Sequence, residues 1–364
     1  MMTSRLEGPQ VTVGITHSGQ KLARTRMDMS HSQLQFLVDQ FDLGRIIRMD
    51  KPIDTQCNTT EPFKTGRGHF MLRARHGDEF AERVEYIHEV MDALRNNGVP
   101  APEVMRTNKG RGCISWGERI VEVHRYIPHD PGAHRDWKRM DAAAGALADL
   151  HRILVECKPS RPPVSPELRN DLSPDHIVTF LEDGEQTMLE LAETRPDARE
   201  ALEIVREAKE AALPLTEGYD KKIGSVPWLT VHGDYHFWNI LYRGDEIIGL
   251  VDYDFLQERE RIFDLAYAMQ SIITYLGATH MRELYDYGEL AWANVQTWVE
   301  YYNDSTHLPL TEVERAWMPS ELLRIFLVNI CTALMGPDPV TAVLGHVFEL
   351  RLYRWLQTQP EMFK

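Results

Sequence analysis

Asp234 lies five residues before Asn239, inside the run Val231-His232-Gly233-Asp234-Tyr235-His236-Phe237-Trp238-Asn239-Ile240-Leu241-Tyr242. A second apolar run, Ile247-Ile248-Gly249-Leu250-Val251, ends in Asp252-Tyr253-Asp254-Phe255. This pattern predicts a loop carrying Asp234 and Asn239, then a hairpin whose second strand delivers Asp252 to the same place. Three oxygen-bearing side chains so gathered suit phosphoryl transfer from ATP. That reaction needs a carboxylate to orient the attacking hydroxyl and accept its proton, a role that fits Asp234. It also needs a few hard oxygens for Mg2+, and an Asn beside an Asp holds the ion without repelling the phosphates, which fits Asn239 and Asp252.

Plainer readings of the same residues compete with this one. A lone Asp in a loop is usually a turn or cap residue, so the composite carries the weight. His232 and His236 are four apart, which invites a zinc site completed by Asp234 or Asp252 and a metal-dependent hydrolase. Gly233 and the strand-like surroundings argue instead for a loop, where that spacing does not align two imidazoles. Phe237 and Trp238 either stack on a substrate or, more commonly for such positions, fill the core. Glu182, Asp183 and Glu185 around Gly184 read as a solvated face.

His232-Gly233-Asp234, Asn239, Val251-Asp252-Tyr253-Asp254 and Asp264-Leu265-Ala266 together resemble the aminoglycoside phosphotransferase superfamily, which includes choline, homoserine and spore-coat-type kinases. The resemblance implies an α+β, protein-kinase-like two-lobed fold, with a small antiparallel-sheet lobe and a larger, mainly helical one. It implies Asp234 as catalytic base, Asn239 and Asp252 as magnesium ligands, and His232 and Asp264 as structural supports. Gly145-Ala146-Leu147-Ala148-Asp149-Leu150-His151 resembles the family's helix before the catalytic loop, and Gly98-Val99-Pro100-Ala101-Pro102 its N-lobe turn. By the same likeness, Arg73 in Phe70-Met71-Leu72-Arg73 stands where a Lys, sometimes an Arg, clamps the ATP phosphates, with Glu85 or Glu89 as its helix partner. Adenine is then expected at the backbone of Arg125 and Ile127. The stretch Lys51 to Thr60 lacks the usual glycines, although Asn58-Thr59 resembles the Asn-Thr of homoserine-kinase-like members and marks Asn58 as nucleotide-binding. The missing glycines and the Arg in place of Lys leave a second reading, a pseudokinase that binds a nucleotide or a partner without turnover.

The elements that must position these residues can be read along the chain. Residues 1–30 read as a loosely ordered leader, residues 31–127 as the nucleotide-binding lobe, and residues 128–364 as the lobe with the catalytic loop and acceptor-binding helices. The first lobe is expected to hold a helix from Ser32 to Phe41, strands at 45–49, 68–74, 112–116 and 119–127, and a helix over 80–96 stopped by Gly98 and Pro100. From Asp136 the pattern turns helical, with one β-like island between Leu229 and Phe255. Helices over 174–213 and 283–303 are expected to wall the acceptor side, and their Glu185, Glu190, Glu193, Glu289 and Glu300 suit an amine-bearing small molecule.

Composition excludes other classes. A chain of 364 residues with 43% hydrophobic and 26% charged residues is an ordinary globular one. Asp+Glu 55 against Lys+Arg 40 gives a net charge of -15, which disfavours nucleic acid or an anionic membrane as partner. The four cysteines are widely spaced without a CxxC pair, which fits a reducing cytoplasm and neither a disulfide framework nor a cysteine zinc site. No apolar run reads as a signal peptide or as a membrane span.

Overall fold

The computed structural model describes residues 11–16, 21–25, 29–53, 58–76, 80–131, 139–161, 163, 168–169, 172–280, 287–346, 350 and 354. Two strands, β1 (Val11–Thr16) and β2 (Lys21–Thr25), pair antiparallel within the segment read as a loose leader. The leader is therefore not without structure: Val11, Val13 and Ile15 alternate with Thr12, Gly14 and Thr16, a period of two that suits a strand. Ser30 then caps α1 (His31–Asp39) through a capping box with Gln33.

Next come β3 (Ile46–Met49), β4 (Thr59–Thr65), β5 (Gly68–His76), α2 (Ala81–Asn96), β6 (Cys113–Trp116) and β7 (Arg119–Arg125). The strands form one antiparallel sheet in the order β3-β4-β5-β7-β6. Strand alternation gives this sheet two unlike faces. Phe70, Leu72 and Ala74 of β5, with Val121 and Val123 of β7, pack with Leu34, Leu37 and Val38 of α1. Arg73 and Arg75 of β5, with Glu122 and His124 of β7, occupy the opposite face, where His88 of α2 meets them. One face is thus an apolar core and the other a buried layer of charge.

Beyond residue 139 the chain runs through α3 (Met140–Glu156), β8 (Leu168–Arg169), α4 (Pro174–Leu191), α5 (Ala198–Thr216), α6 (Tyr219–Ile223), β9 (Trp228–Val231), β10 (Ile240–Arg243), β11 (Glu246–Leu250) and β12 (Gln257–Glu260). It continues through α7 (Ile262–His280), α8 (Tyr287–Ser305), α9 (Glu312–Leu334) and α10 (Pro339–Leu344). β8 extends the β1–β2 pair. The largest core joins Tyr86, Ile87, Val90 and Leu94 of α2 to α3, α7 and α8, so α2 is shared between the two lobes. A second core gathers α4, α5 and α10 around α9. By length and composition α9 could cross a bilayer, contrary to the expectation that no run approaches a span. However, 72% of its apolar window is buried within the protein, as in a core helix.

Candidate active site

β9 leads through Gly233, whose φ is +80°, into the loop that carries Asp234. A Cβ at Gly233 would lie 2.1 Å from the carbonyl oxygen of Phe255, so the loop reaches the segment before β12 only with glycine here. Asp264, in the first turn of α7 and fully buried, accepts the backbone N–H of His232 on Oδ2 and of Gly233 on Oδ1, each at 2.8 Å. His151 Nε2 lies 3.1 Å from the same Oδ2, and its Nδ1 lies 2.9 Å from the Tyr302 hydroxyl. The Tyr235 hydroxyl donates to Ala143 O at 2.7 Å, tying the loop to α3.

His232 is spent inside this scaffold. Its Nδ1 accepts the Asp234 N–H at 3.3 Å and its Nε2 donates to Val251 O at 3.1 Å, linking loop to hairpin. Burial lowers its pKa, in keeping with a neutral ring. With both nitrogens engaged, His232 does not share a metal with His236, and the zinc reading loses its first ligand. His232 and Asp264 are both buried and hydrogen-bonded within the segment that holds Asp234.

The loop presents Asp234 at 8% exposure. Asn239 Nδ2 donates to Asp234 Oδ2 and to its carbonyl, both at 2.9 Å. Burial pushes the Asp234 carboxyl up, but the nearby His236, with Nε2 3.5 Å from Oδ2, more than offsets this and holds it below its ordinary value. Burial likewise opposes charge on His236, and Asp234 overrides it, raising the imidazole. Tyr267 of α7 also hydrogen-bonds Asp234 through its side chain. Phe237 fills the core at 8% exposure, whereas Trp238 stands 54% exposed in the stretch between Asp234 and Asn239.

At the end of β11, Asp252 takes a left-handed φ of +68°. Burial and the charges of Asp254 and Asp234 raise its carboxyl to about 7, against the pull of Arg73 and Arg75. Such a surplus of negative charge fits a divalent cation. Asn239 fits as its neighbour, because it donates through Nδ2 and has an amide oxygen to offer. Asp254 has a different fate. Arg73 Nη2 reaches its Oδ2 at 3.0 Å, Arg75 Nη2 its Oδ1 at 2.7 Å, and Asn58 Nδ2 donates to it at 2.5 Å. These cations outweigh burial and hold it at about 2.

Arg73 thus stands in the site, with Nη2 also 3.1 Å from Asp252 Oδ1. Its expected helix partner is absent from both candidate positions. Glu85 accepts the Gly112 N–H at 2.9 Å, and Glu89 accepts the Ser160 N–H at 2.7 Å and pairs with Arg161. The acid nearest Arg73 Nη1 is Glu122, at 3.4 Å, directly opposite on β7. Asn58 belongs to the same cluster through Asp254, while residues 54–57 of the glycine-poor stretch lie outside the described residues.

Arg125 and Ile127 follow from β7 into the connection between lobes. The Arg125 side chain pairs with Glu103 and its guanidinium lies 5.4 Å from the Phe70 ring, while its backbone N–H donates to Glu103 O at 2.8 Å. Ile127 Cδ1 sits 3.0 Å from where a Gly249 Cβ would stand, as does Leu241 Cδ1, so Ile127 meets the hairpin that carries Asn239 and Asp252. Among the acids expected to face an amine, Glu185 is engaged by Arg206 and Lys209, Glu190 accepts from Gln186, and Glu289 lies outside the described side chains.

Sequence reasoning missed Arg75, Glu122, His88 and Tyr267. Arg75 and Arg73 share a face by strand alternation and could have been paired on that ground. Tyr267 follows Asp264 by three, the helical spacing that shares a face. Glu122 and His88 needed the register of β5 on β7 and the facing of α2, which no local pattern carries.

A family model described as the phosphotransferase enzyme family matches residues 58–299. No curated protein matches the sequence. Among solved structures, an amicoumacin kinase in complex with AMP-PNP, Ca2+ and Ami is similar at TM-score 0.62 and 12% identity, covering 90% of this chain and 94% of that one. A microcompartment-associated aminopropanol kinase gives TM-score 0.60 at 16% identity, covering 91% and 99%. An aminoglycoside phosphotransferase from Alicyclobacillus acidocaldarius gives 0.57 at 14%, covering 90% and 96%. At these identities the likeness is one of fold, and it agrees with the two-lobed α+β architecture.

Proposed function

Because the chain belongs to the phosphotransferase enzyme family, we propose that it transfers the γ-phosphate of ATP to a hydroxyl of an amine-bearing small molecule, such as an aminoglycoside, amino sugar, amino alcohol or hydroxy amino acid. The observation that carries this is the Asp234 carboxylate, held by Asn239 and kept ionised by His236, with Asp252, which Arg73 meets, close enough to feel its charge. Asn239 and Asp252 are the residues that would hold magnesium, whose charge, when bound, offsets that of the phosphates.

Asp234, with Oδ2 fixed by Asn239, orients the acceptor hydroxyl and takes its proton on the other oxygen. The acceptor oxygen bonds to the γ-phosphorus, the bond to the bridging oxygen breaks, and ADP leaves. Arg73 steadies the phosphates, Asn58 and the backbone of Arg125 and Ile127 frame the nucleotide, and the protein contributes mainly positioning and charge. The amine preference draws on the net charge of -15 and on a fold neighbour, the aminopropanol kinase, whose name joins an amine to an alcohol. A reducing cytoplasm is proposed as the compartment, in keeping with the buried free thiols of Cys113 and Cys331.

The test is ATP turnover with magnesium over a panel of aminoglycosides, sugars, amino alcohols and hydroxy amino acids, for the natural chain and Asp234→Asn. Stimulation by an amine-bearing compound, lowered about 10²–10⁴-fold in the variant, is expected. Turnover that survives Asp234→Asn, or no stimulation by any compound, overturns the reading.

A further inference from the structure

Arg73 and Glu122 face each other across the β5–β7 ladder, on the sheet face that carries the charge layer. Glu122 has no exposed surface, and four side chains close on it. Its Oε1 takes Arg75 Nε at 2.8 Å and lies 3.4 Å from Arg73 Nη1, while its Oε2 meets His88 Nε2 at 2.6 Å and lies 3.3 Å from His124 Nε2. One oxygen thus serves the two arginines and the other the two imidazoles. A carboxylate this deep is tolerable only when fully paired, and Arg75, with His124 and His88, holds Glu122 well below its ordinary pKa in spite of burial.

Resting on the ATP-dependent reading above, we propose that Glu122 is the positioning residue for Arg73, supplied by the sheet rather than by the helix, and that His88 gives α2 its hold on that acid. The division of the guanidinium supports this. Nη1 is turned to Glu122 and Nη2 to the cleft carboxylates Asp252 and Asp254, so one edge is anchored while the other is presented where phosphates would lie. The helix acids Glu85 and Glu89 are committed to Arg106 and Arg161. His88 occupies the place on α2 from which the contact is made, and α2 belongs to the core shared with the larger lobe. A shift of α2 therefore reaches Arg73 through two contacts. The grouping of His88, Glu122 and His124 also has metal-ligand spacing. Arg73 and Arg75 already neutralise the acid, which favours an arginine anchor over a metal ion there.

Binding of a non-hydrolysable ATP analogue with magnesium, measured by calorimetry on the full chain, tests this in a double-mutant cycle of Glu122→Gln and Arg73→Met. Each single change is expected to weaken binding about tenfold, and the double variant to bind no worse than Arg73→Met alone, because Glu122 acts through Arg73. Binding unchanged in Glu122→Gln, or losses that multiply to about a hundredfold in the double variant, overturns the proposal. If Glu122→Gln does not fold, His88→Gln carries the same cycle with the same two outcomes. Failure of the unsubstituted chain to bind the analogue overturns the nucleotide reading itself, and is recognised before any substitution is made.

Discussion

At the scale of single residues, the site depends on one acid that touches no substrate. Asp264 accepts the backbone N–H groups of His232 and Gly233 and meets His151, all through a side chain with no exposed surface. In Asp264→Asn one of these acceptors becomes an NH2 facing a backbone N–H, and a charge-assisted bond worth about 1.5–3 kcal/mol is lost. The expected outcome is a melting temperature lowered to match, with kcat down about a hundredfold because Asp234 is misplaced. Thermal melts and steady-state kinetics on one preparation check this; an unchanged kcat in the folded variant would show that the loop holds its shape without Asp264. Asp234, Asn239 and Asp252 were legible in the sequence because loop, turn and strand end lie within one short stretch, where spacing alone brings them together. Glu122 was not, because Arg73 and Glu122 meet only through strand register. The helix acids Glu85 and Glu89 looked equally suitable until their own partners were visible.

At the scale of elements, two glycines do the shaping. Gly249 lets Ile127 and Leu241 close over the hairpin, and Gly233 turns the loop that carries Asp234 against the segment before β12. A methyl group at Gly233 meets backbone, the Phe255 carbonyl, rather than a side chain that could swing aside, and it also faces a positive φ. Gly233→Ala is therefore expected to lower kcat about a hundredfold or to abolish folding, whereas Gly244→Ala, at a similarly positive φ with open space around it, is expected to cost about 1 kcal/mol and leave kcat in place. Comparable kcat losses in both variants would mean that backbone strain, not the contact with Phe255, matters. The hairpin and the helix over 80–96 were readable from alternation and from a Gly-Pro stop. β4 was not, since Thr59, Thr60, Glu61, Pro62 and Lys64 look like loop yet sit in mid-sheet. β12, Gln257 to Glu260, was hidden in the same way: its Arg259 is buried with the guanidinium 3.6 Å from the centre of the Phe263 ring.

At the scale of the whole molecule, buried ion pairs set how the fold responds to acid. Arg261, at the start of α7, holds Glu314 of α9 through Nε at 2.6 Å and Nη2 at 2.8 Å, and also donates to Leu308 O and Pro309 O. This joins α9, the spine of the second core, to the helix that carries Asp264. Burial pushes Glu314 up, but Arg261 and the Thr311 cap hold it below its ordinary value, as Arg75 and the neighbouring imidazoles do for Glu122. Both acids have folded pKa values below their unfolded ones, so the unfolded chain binds more protons as pH falls. Their contribution is thus fully present above about pH 4.5 and is lost progressively below it. Urea unfolding of the natural chain and of Glu314→Gln from pH 7 to 3 should show the difference between them flat in its upper part and shrinking in the acid range, while the raised carboxyl of Asp252 acts on both chains alike. Glu314→Gln should be less stable at pH 7, by about 3–5 kcal/mol, since Arg261 loses its buried counterion. It should also fall less steeply in acid, because one of the linked protons is gone. If the two chains lose stability in parallel below pH 4.5, Glu314 does not titrate in unfolding, and the acid response lies with the sheet-face charges around Glu122 instead.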